Sequence, residues 1–211
     1  MGIVLENQPS FDFRNIKSLA LVGSSGCILD NEYGELIDQH DVVMRFNAAR
    51  VEGYEKYVGS KTTIRVMNGH CFAGTSDPVR FEKNDPKFIS SLFGEHFFIK
   101  GYNLQEFHRG VLSVLNKNYI NFLHNDFVGR CHQELGKGPS VGFVGLMMAL
   151  TCAEQISCFG FDHGEISDDR RHYWEAVRNA DNWKTGQGHS FDKEKEYFKN
   201  LEQQGRIKIY R

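Results

Sequence analysis

Residues Ser18-Leu19-Ala20-Leu21-Val22 make a short apolar run that ends at Gly23-Ser24-Ser25-Gly26. A run of this kind suits a strand buried on both faces, and the glycines turn the chain sharply at its end. Helical character follows around Glu35-Leu36-Ile37, and two more strands are expected over Asp41–Asn47 and Lys61–Met67. Strand, turn, helix, strand is how a doubly wound α/β sheet begins. Further along, Glu95–Ile99 is a weak strand candidate and residues 103–117 have helical spacing. Val141–Ala153 reads as a buried helix, Gln155–Phe161 as a strand, Phe191–Gln204 as a helix and Arg206–Tyr210 as an alternating strand. Residues 72–95 read as loop. No repeat, low-complexity tract or linker interrupts the chain, and 211 residues suit one domain, residues 1–211, with a sizeable core.

Charge narrows the function. The formal net charge of -2 argues against a nucleic-acid or anionic-membrane binder, which would need a strong basic excess. No apolar run approaches the roughly 18 residues of a membrane span. The start, Met1-Gly2-Ile3-Val4-Leu5-Glu6, has no charged region followed by a long apolar one, so no signal peptide is expected. Five cysteines, an odd number without a C-x-x-C pair, suggest free thiols in a reducing compartment. Cys152 and Cys158 lie in apolar stretches and are expected as core fillers.

Two turns are suited to anions. Gly23, Ser24 and Ser25 follow the first strand, where glycine lets backbone approach a ligand and amides favour negative charge. The turn lacks G-x-G-x-x-G and the lysine of a P-loop, and the same glycines would serve a plain tight turn. Gly138-Pro139-Ser140 opens the second segment. Ser140 can cap the helix whose first amides, at Val141 and Gly142, would suit a phosphate or carboxylate. A plain N-cap would look the same. Together the turns point to a nucleotide-bearing ligand.

The downstream third of the chain carries the acid–base candidates. His172-Tyr173-Trp174-Glu175 sets a histidine, two aromatics and a carboxylate side by side, and His189 and Glu194 follow. Histidine takes a proton from a hydroxyl near neutral pH, and a second histidine can steady a phosphate. With nine histidines present, chance clustering is the competing explanation. A resident metal is not expected. There is no H-E-x-x-H, no cysteine-pair site and no D-x-D, and Asp168-Asp169 runs into Arg170-Arg171.

These segments together resemble glycosyltransferase family 29, the eukaryotic-type sialyltransferases. The family's long motif is similar to Leu19–Gly26 continued through Tyr33-Gly34, Ile37-Asp38, His40–Val43, Arg45-Phe46-Asn47 and Val58–Thr63. Its short motif is similar to Gly138–Phe143 with Ala149-Leu150 and Phe159-Gly160-Phe161. Its third motif is similar to His172-Tyr173-Trp174-Glu175, and its last, H-x-x-x-x-E, to His189 through Glu194. All four occur in the family's order.

The resemblance implies a single-domain GT-A-like α/β fold, a Rossmann-type, mostly parallel sheet flanked by helices. It implies inverting, metal-independent transfer of sialic acid from CMP-sialic acid to a hydroxyl of an oligosaccharide or glycoconjugate. The CMP-sugar is then a substrate, and no cofactor is implied. Residue by residue, Gly23, Ser24 and Ser25 form the nucleotide turn and Asn47 contacts CMP. Ser140, Val141 and Gly142 meet the donor's phosphate or carboxylate, and His172 hydrogen-bonds the leaving phosphate. His189 is the general base. Tyr173, Glu175 and Glu194 support the site, with Glu194 orienting the segment that carries His189.

Departures from the family pattern refine this. Ser24 and Cys27 stand where the family usually has asparagines, and Val141 where it has a hydroxyl residue. Leu19 and Ala153 replace the paired cysteines of animal relatives, which also carry a membrane anchor. These features suggest a cytoplasmic setting, bacterial or viral, with the Golgi lumen expected only if an anchor has been removed. Rival functions are transfer of another CMP-activated keto sugar of the Kdo type, a non-catalytic CMP-sugar binding protein, and a dinucleotide-dependent oxidoreductase. The missing G-x-G-x-x-G disfavours the last. Acceptor contacts are expected from loops at 70–95 and 125–137, with Tyr102, Arg130 and Trp183 as candidates.

Overall fold

The computed structural model describes residues 10–68, 94–100, 120–161, 172–174 and 189–211. Within them are β1 (Ile16–Val22), α1 (Gly34–Asp38), β2 (Val42–Phe46), α2 (Glu55–Val58), β3 (Ile64–Asn68), β4 (His96–Lys100) and β5 (Ile120–Phe122). These are followed by α3 (Asn125–Leu135), α4 (Val141–Cys152), β6 (Ala153–Phe159), α5 (Phe191–Gln203) and β7 (Lys208–Tyr210). A 3-10 turn, Gly26–Asp30, follows β1. No helix among the described residues is long and apolar enough to cross a membrane.

The strands form one sheet in the order β5-β4-β3-β2-β1-β6-β7, and each described pairing is parallel. A parallel sheet needs both faces covered, which is why β2 is buried at every position. On one face, α3, α4 and α5 pack Phe127, Phe143, Leu146 and Phe198 against Leu21, Met44 and Val66. On the other, the 3-10 turn, α1 and α2 cover Ala20, Val22, Val43 and Phe159 with Ile28, Ile37 and Val58, joined by Tyr173 from the segment 172–174. Helix α4 is apolar on all sides because sheet and helices enclose it. A Cβ at Gly145 would lie 2.4 Å from the Phe46 ring, so glycine lets α4 sit this close to β2.

The expected single α/β sheet flanked by helices is therefore what the chain forms. One expectation is corrected. Residues 125–137, which the sequence suggests as an acceptor loop, are mostly helix α3. Phe127, Val128, Cys131 and Leu135 face the core, the His124 side chain accepts the Asp126 amide at 3.2 Å, and Gly136 ends the helix in the left-handed conformation. Arg130 lies on this helix, with its guanidinium over the Phe127 ring at 5.9 Å. Strand β5 was not anticipated. The helix expected over 103–117, with Cys71, Tyr102, Asp168–Arg171, Glu175 and Trp183, lies outside the described residues.

The strand order runs outward from β1 both ways, so the order of progression, though not the strand direction, reverses between β1 and β6. Ligands of open α/β sheets bind at such a switch point, beyond the carboxyl ends of the strands.

Candidate functional site

Gly23 and Gly160 stand at the carboxyl ends of β1 and β6. The Gly23 amide donates to the Phe159 carbonyl at 2.7 Å, and the Ser25 amide to the Gly160 carbonyl at 3.3 Å. A Cβ on Gly23 would meet the Gly160 oxygen at 2.3 Å. Glycine is thus required at Gly23 for close approach of two backbones. Ser25 is buried and its hydroxyl accepts the Cys27 amide at 3.4 Å, capping the 3-10 turn. Ser24 is half-buried and is the more accessible of the two serines.

The Ser24 carbonyl accepts the Tyr173 amide at 3.0 Å, which ties residues 172–174 to the switch point. Tyr173 is buried, donates its hydroxyl to the Arg50 carbonyl, and meets Tyr54 edge-on at 5.1 Å. Burial pushes its phenol up to about 12, with Arg45 and Arg65 acting the other way. It is therefore an anchor, and not a proton carrier near neutral pH. His172 stacks on Trp174 with ring centroids 4.7 Å apart and an interplanar angle of 7°.

Asn47 follows β2 with φ of 47°, in the left-handed region that asparagine tolerates better than most residues. Its amide donates to the Val66 carbonyl at 3.0 Å, and its Oδ1 accepts the Asn68 amide at 3.0 Å. Its carbonyl accepts from Arg65 at 2.9 Å. Arg65 is buried and forms a two-pronged pair with Glu95, at 2.5 and 2.9 Å. Its neighbour in register, Arg45, donates to the Thr62 hydroxyl and to the Val58, Gly59 and Lys61 carbonyls. Burial lowers the Arg45 guanidinium to about 10. Two buried arginines thus hold the loops at the ends of β2 and α2.

The second turn is gripped by three distant side chains. His189 Nδ1 lies 2.9 Å from the Gly138 carbonyl, and Lys100 Nζ donates to the Pro139 carbonyl. Glu194 accepts the Ser140 amide at 2.8 Å and the Ser140 hydroxyl at 2.6 Å. The same hydroxyl accepts the Phe143 amide at 3.0 Å, so Ser140 is the N-cap of α4. Glu194 lies in the first turn of α5 and its side chain leans back towards the helix start. The spacing from His189 to Glu194 therefore lets both reach one turn. Burial, the largest influence, pushes the Glu194 carboxyl up, while the Ser140 bonds, His189 and Lys100 pull it down.

A carbonyl oxygen only accepts, so His189 Nδ1 carries the hydrogen of this bond. In the neutral ring Nε2 then holds the lone pair. This is the tautomer a general base needs.

Phe161 joins the two halves of the site. A Cβ at Gly142 would touch its ring at 3.0 Å, and Phe46 meets it edge-on at 5.9 Å. The amino end of α4 therefore lies at the same end of the sheet as Gly23, Asn47 and Gly160. Val141 is buried, so its amide rather than its side chain is suited to a ligand. The helix has no acceptor for the Val141 and Gly142 amides. Among the described residues, no three His, Cys, Asp or Glu side chains gather as metal ligands. The four described cysteines are free, and burial raises the thiols of Cys131, Cys152 and Cys158.

Sequence reasoning named most of these residues but missed Lys100, Arg65 and Glu95. The available signal was a charged residue inside or beside an apolar strand: Arg65 between Ile64 and Val66, and Lys100 directly after Phe97-Phe98-Ile99.

Comparison with known proteins follows the same lines. β-Galactoside α-2,6-sialyltransferase 2 of Takifugu rubripes is 31% identical over 192 residues, covering 80% of this chain and 35% of its own. The CMP-N-acetylneuraminate-β-galactosamide-α-2,3-sialyltransferase 2 of Mus musculus is 26% identical over 211 residues, covering 95% of this chain and 58% of its own. The chain thus spans about a third to about three-fifths of these relatives. A crystal structure of a mammalian sialyltransferase superposes with a TM-score of 0.68 at 24% identity, over 92% of this chain and 68% of the other, which shows a shared fold. The family model of glycosyltransferase family 29 (sialyltransferase) matches residues 4–206. The chain belongs to glycosyltransferase family 29.

Proposed function

We propose that this chain transfers sialic acid from CMP-sialic acid to a hydroxyl of a galactoside-containing glycan, with inversion and without a metal, using His189 as general base. The observation that carries the reading is the bond from His189 Nδ1–H to the Gly138 carbonyl, which leaves Nε2 as the ring's acceptor. The names of the relatives support the transferred sugar and a galactoside acceptor. A related structure was solved with Gal-β-1-3GalNAc-ortho-nitrophenol.

In this reading the acceptor oxygen attacks the anomeric carbon as the bond to the CMP phosphate breaks, and the hydroxyl proton passes to His189 Nε2. CMP departs with the bonding pair as an anion. The Val141 and Gly142 amides and His172 hold that charge, while Gly23, Ser24 and Asn47 hold the nucleotide. Ser140, whose hydroxyl is engaged by Glu194 and Phe143, acts mainly by shaping the turn.

The test is His189→Ala. Base catalysis contributes roughly 10²–10⁴-fold, so sialyl transfer to a galactoside should fall by that order. CMP affinity, measured by calorimetry, should stay within about twofold, because Nε2 acts on the acceptor and not on the nucleotide. Full transfer activity in this variant would rule out His189 as the base.

A further inference from the structure

The amino end of α4 already holds an anion of the protein's own. The Glu194 carboxylate occupies the Ser140 amide and hydroxyl, directly before the amides of Val141 and Gly142. A helix of this length attracts negative charge at its start, but a buried carboxylate placed there would repel a second anion in a low-dielectric setting. A phosphate-bearing donor at this point therefore calls for a compensating cation.

Lys100 is that cation. It is the last residue of β4 and shares the sheet face of Phe98, the face covered by α3, α4 and α5. Only 9% of it is exposed, and its ammonium donates to the Pro139 carbonyl, next to the residue that Glu194 grips. A buried lysine is rare unless its charge is answered. Among the described residues, the other groups near the turn do not supply a rival cation of equal standing, and Lys137, directly before it, is exposed. From α3 comes Cys131, whose buried thiol stays neutral. From α5 come Glu194 itself and Lys193, which reaches Gly136 from an exposed position, and from just before it comes His189, which is on the Gly138 carbonyl. Burial pushes the Lys100 ammonium down, whereas Glu194 pushes it back up, as two charges that compensate each other would do.

We propose that Lys100 is a positioning residue for the donor. Its ammonium offsets Glu194 across the Gly138-Pro139-Ser140 turn, so that α4 can present its first amides to the nucleotide's phosphate. This rests on the CMP-sugar reading given above. It predicts that Lys100 supports binding of the phosphate and not of the nucleoside.

Calorimetric titration of the full chain with CMP and with uncharged cytidine separates these effects. Lys100→Met should weaken CMP about tenfold, the scale of one charge interaction at a partly buried site, and change cytidine less than about twofold. Lys100→Arg should retain CMP binding within about threefold of the original chain, because the charge remains. Lys100→Met/Glu194→Gln removes both charges and should also return to within about threefold. The double variant leaves no lone buried charge, so it carries the test if Lys100→Met alone does not fold. Unchanged CMP affinity in Lys100→Met, equal loss of CMP and cytidine, or a double variant as weak as Lys100→Met would each overturn the proposal. Failure of the original chain to bind CMP at all would instead refute the nucleotide reading.

Discussion

Glu194 and Ser140, 54 positions apart in sequence, are joined twice, once through the Ser140 amide and once through its hydroxyl. The first turn of α5 is thereby fastened to the first turn of α4. His189 precedes one helix and Gly138 precedes the other, so their contact is held from both sides. The geometry of the proposed base depends on two helix starts being locked together.

Glu194 should give the protein a distinctive pH dependence. Burial raises its carboxyl above the ordinary 4.5. Between the ordinary and the raised value, the folded chain keeps a proton that the unfolded chain has lost. This contribution to stability is full below the ordinary value and is lost as pH rises through the raised one. Glu194→Gln lacks it. Urea denaturation from about pH 4 to about pH 8 should show the variant gaining on the original chain as pH rises. A difference that stays constant with pH would contradict the expectation.

Gly23→Ala should separate β1 from β6 at their carboxyl ends, since the new Cβ would meet backbone and not a movable side chain. A loss of about 3 kcal/mol is expected, with CMP binding abolished or nearly so. Gly129 on α3 has nothing within 4 Å of the same added atom, so Gly129→Ala should raise stability by ~0.5–1 kcal/mol and leave CMP affinity unchanged. Thermal unfolding and CMP calorimetry on the two variants check both halves.

Arg65→Met should be severe because it strands Glu95 as a buried carboxylate. A loss of ~3–5 kcal/mol is expected, as for other broken buried pairs. Arg65→Met/Glu95→Met should regain at least half of that. CMP affinity should not recover with it, because the Asn47 and Ala49 carbonyls have still lost their donor. Recovery of both together would show that Arg65 does not position Asn47.

The legible parts of the fold were those specified by neighbouring residues. Strands β1 and β2 are apolar at successive positions, and α4 is apolar throughout, so each announces its burial locally. Strand β5 does not. It is three residues long, and Asn121 within it is a buried polar residue bonded to Ser10 and the Phe97 carbonyl, both distant in sequence. Helix α3 reads as loop in the sequence although its core-facing positions keep helical spacing, because polar residues separate them. The site divides in the same way. The spacing from His189 to Glu194 is a local fact, but their partners Gly138 and Ser140 lie more than fifty positions earlier. Lys100 looks like the ordinary polar exit of a strand until the fold sets it against Pro139.

The placement of β1 also bears on how the chain is made. One edge of β1 meets β2 soon after β1 itself is made, since Leu19 pairs with Val42. The other edge waits for β6, since Leu19 pairs there with Ile156. Until then a nascent chain carries an open, apolar strand edge, the kind of surface that invites chaperones or self-association. Yield in cells should therefore respond more to the rate at which residues 100–160 emerge from the ribosome than to the stability of the finished fold.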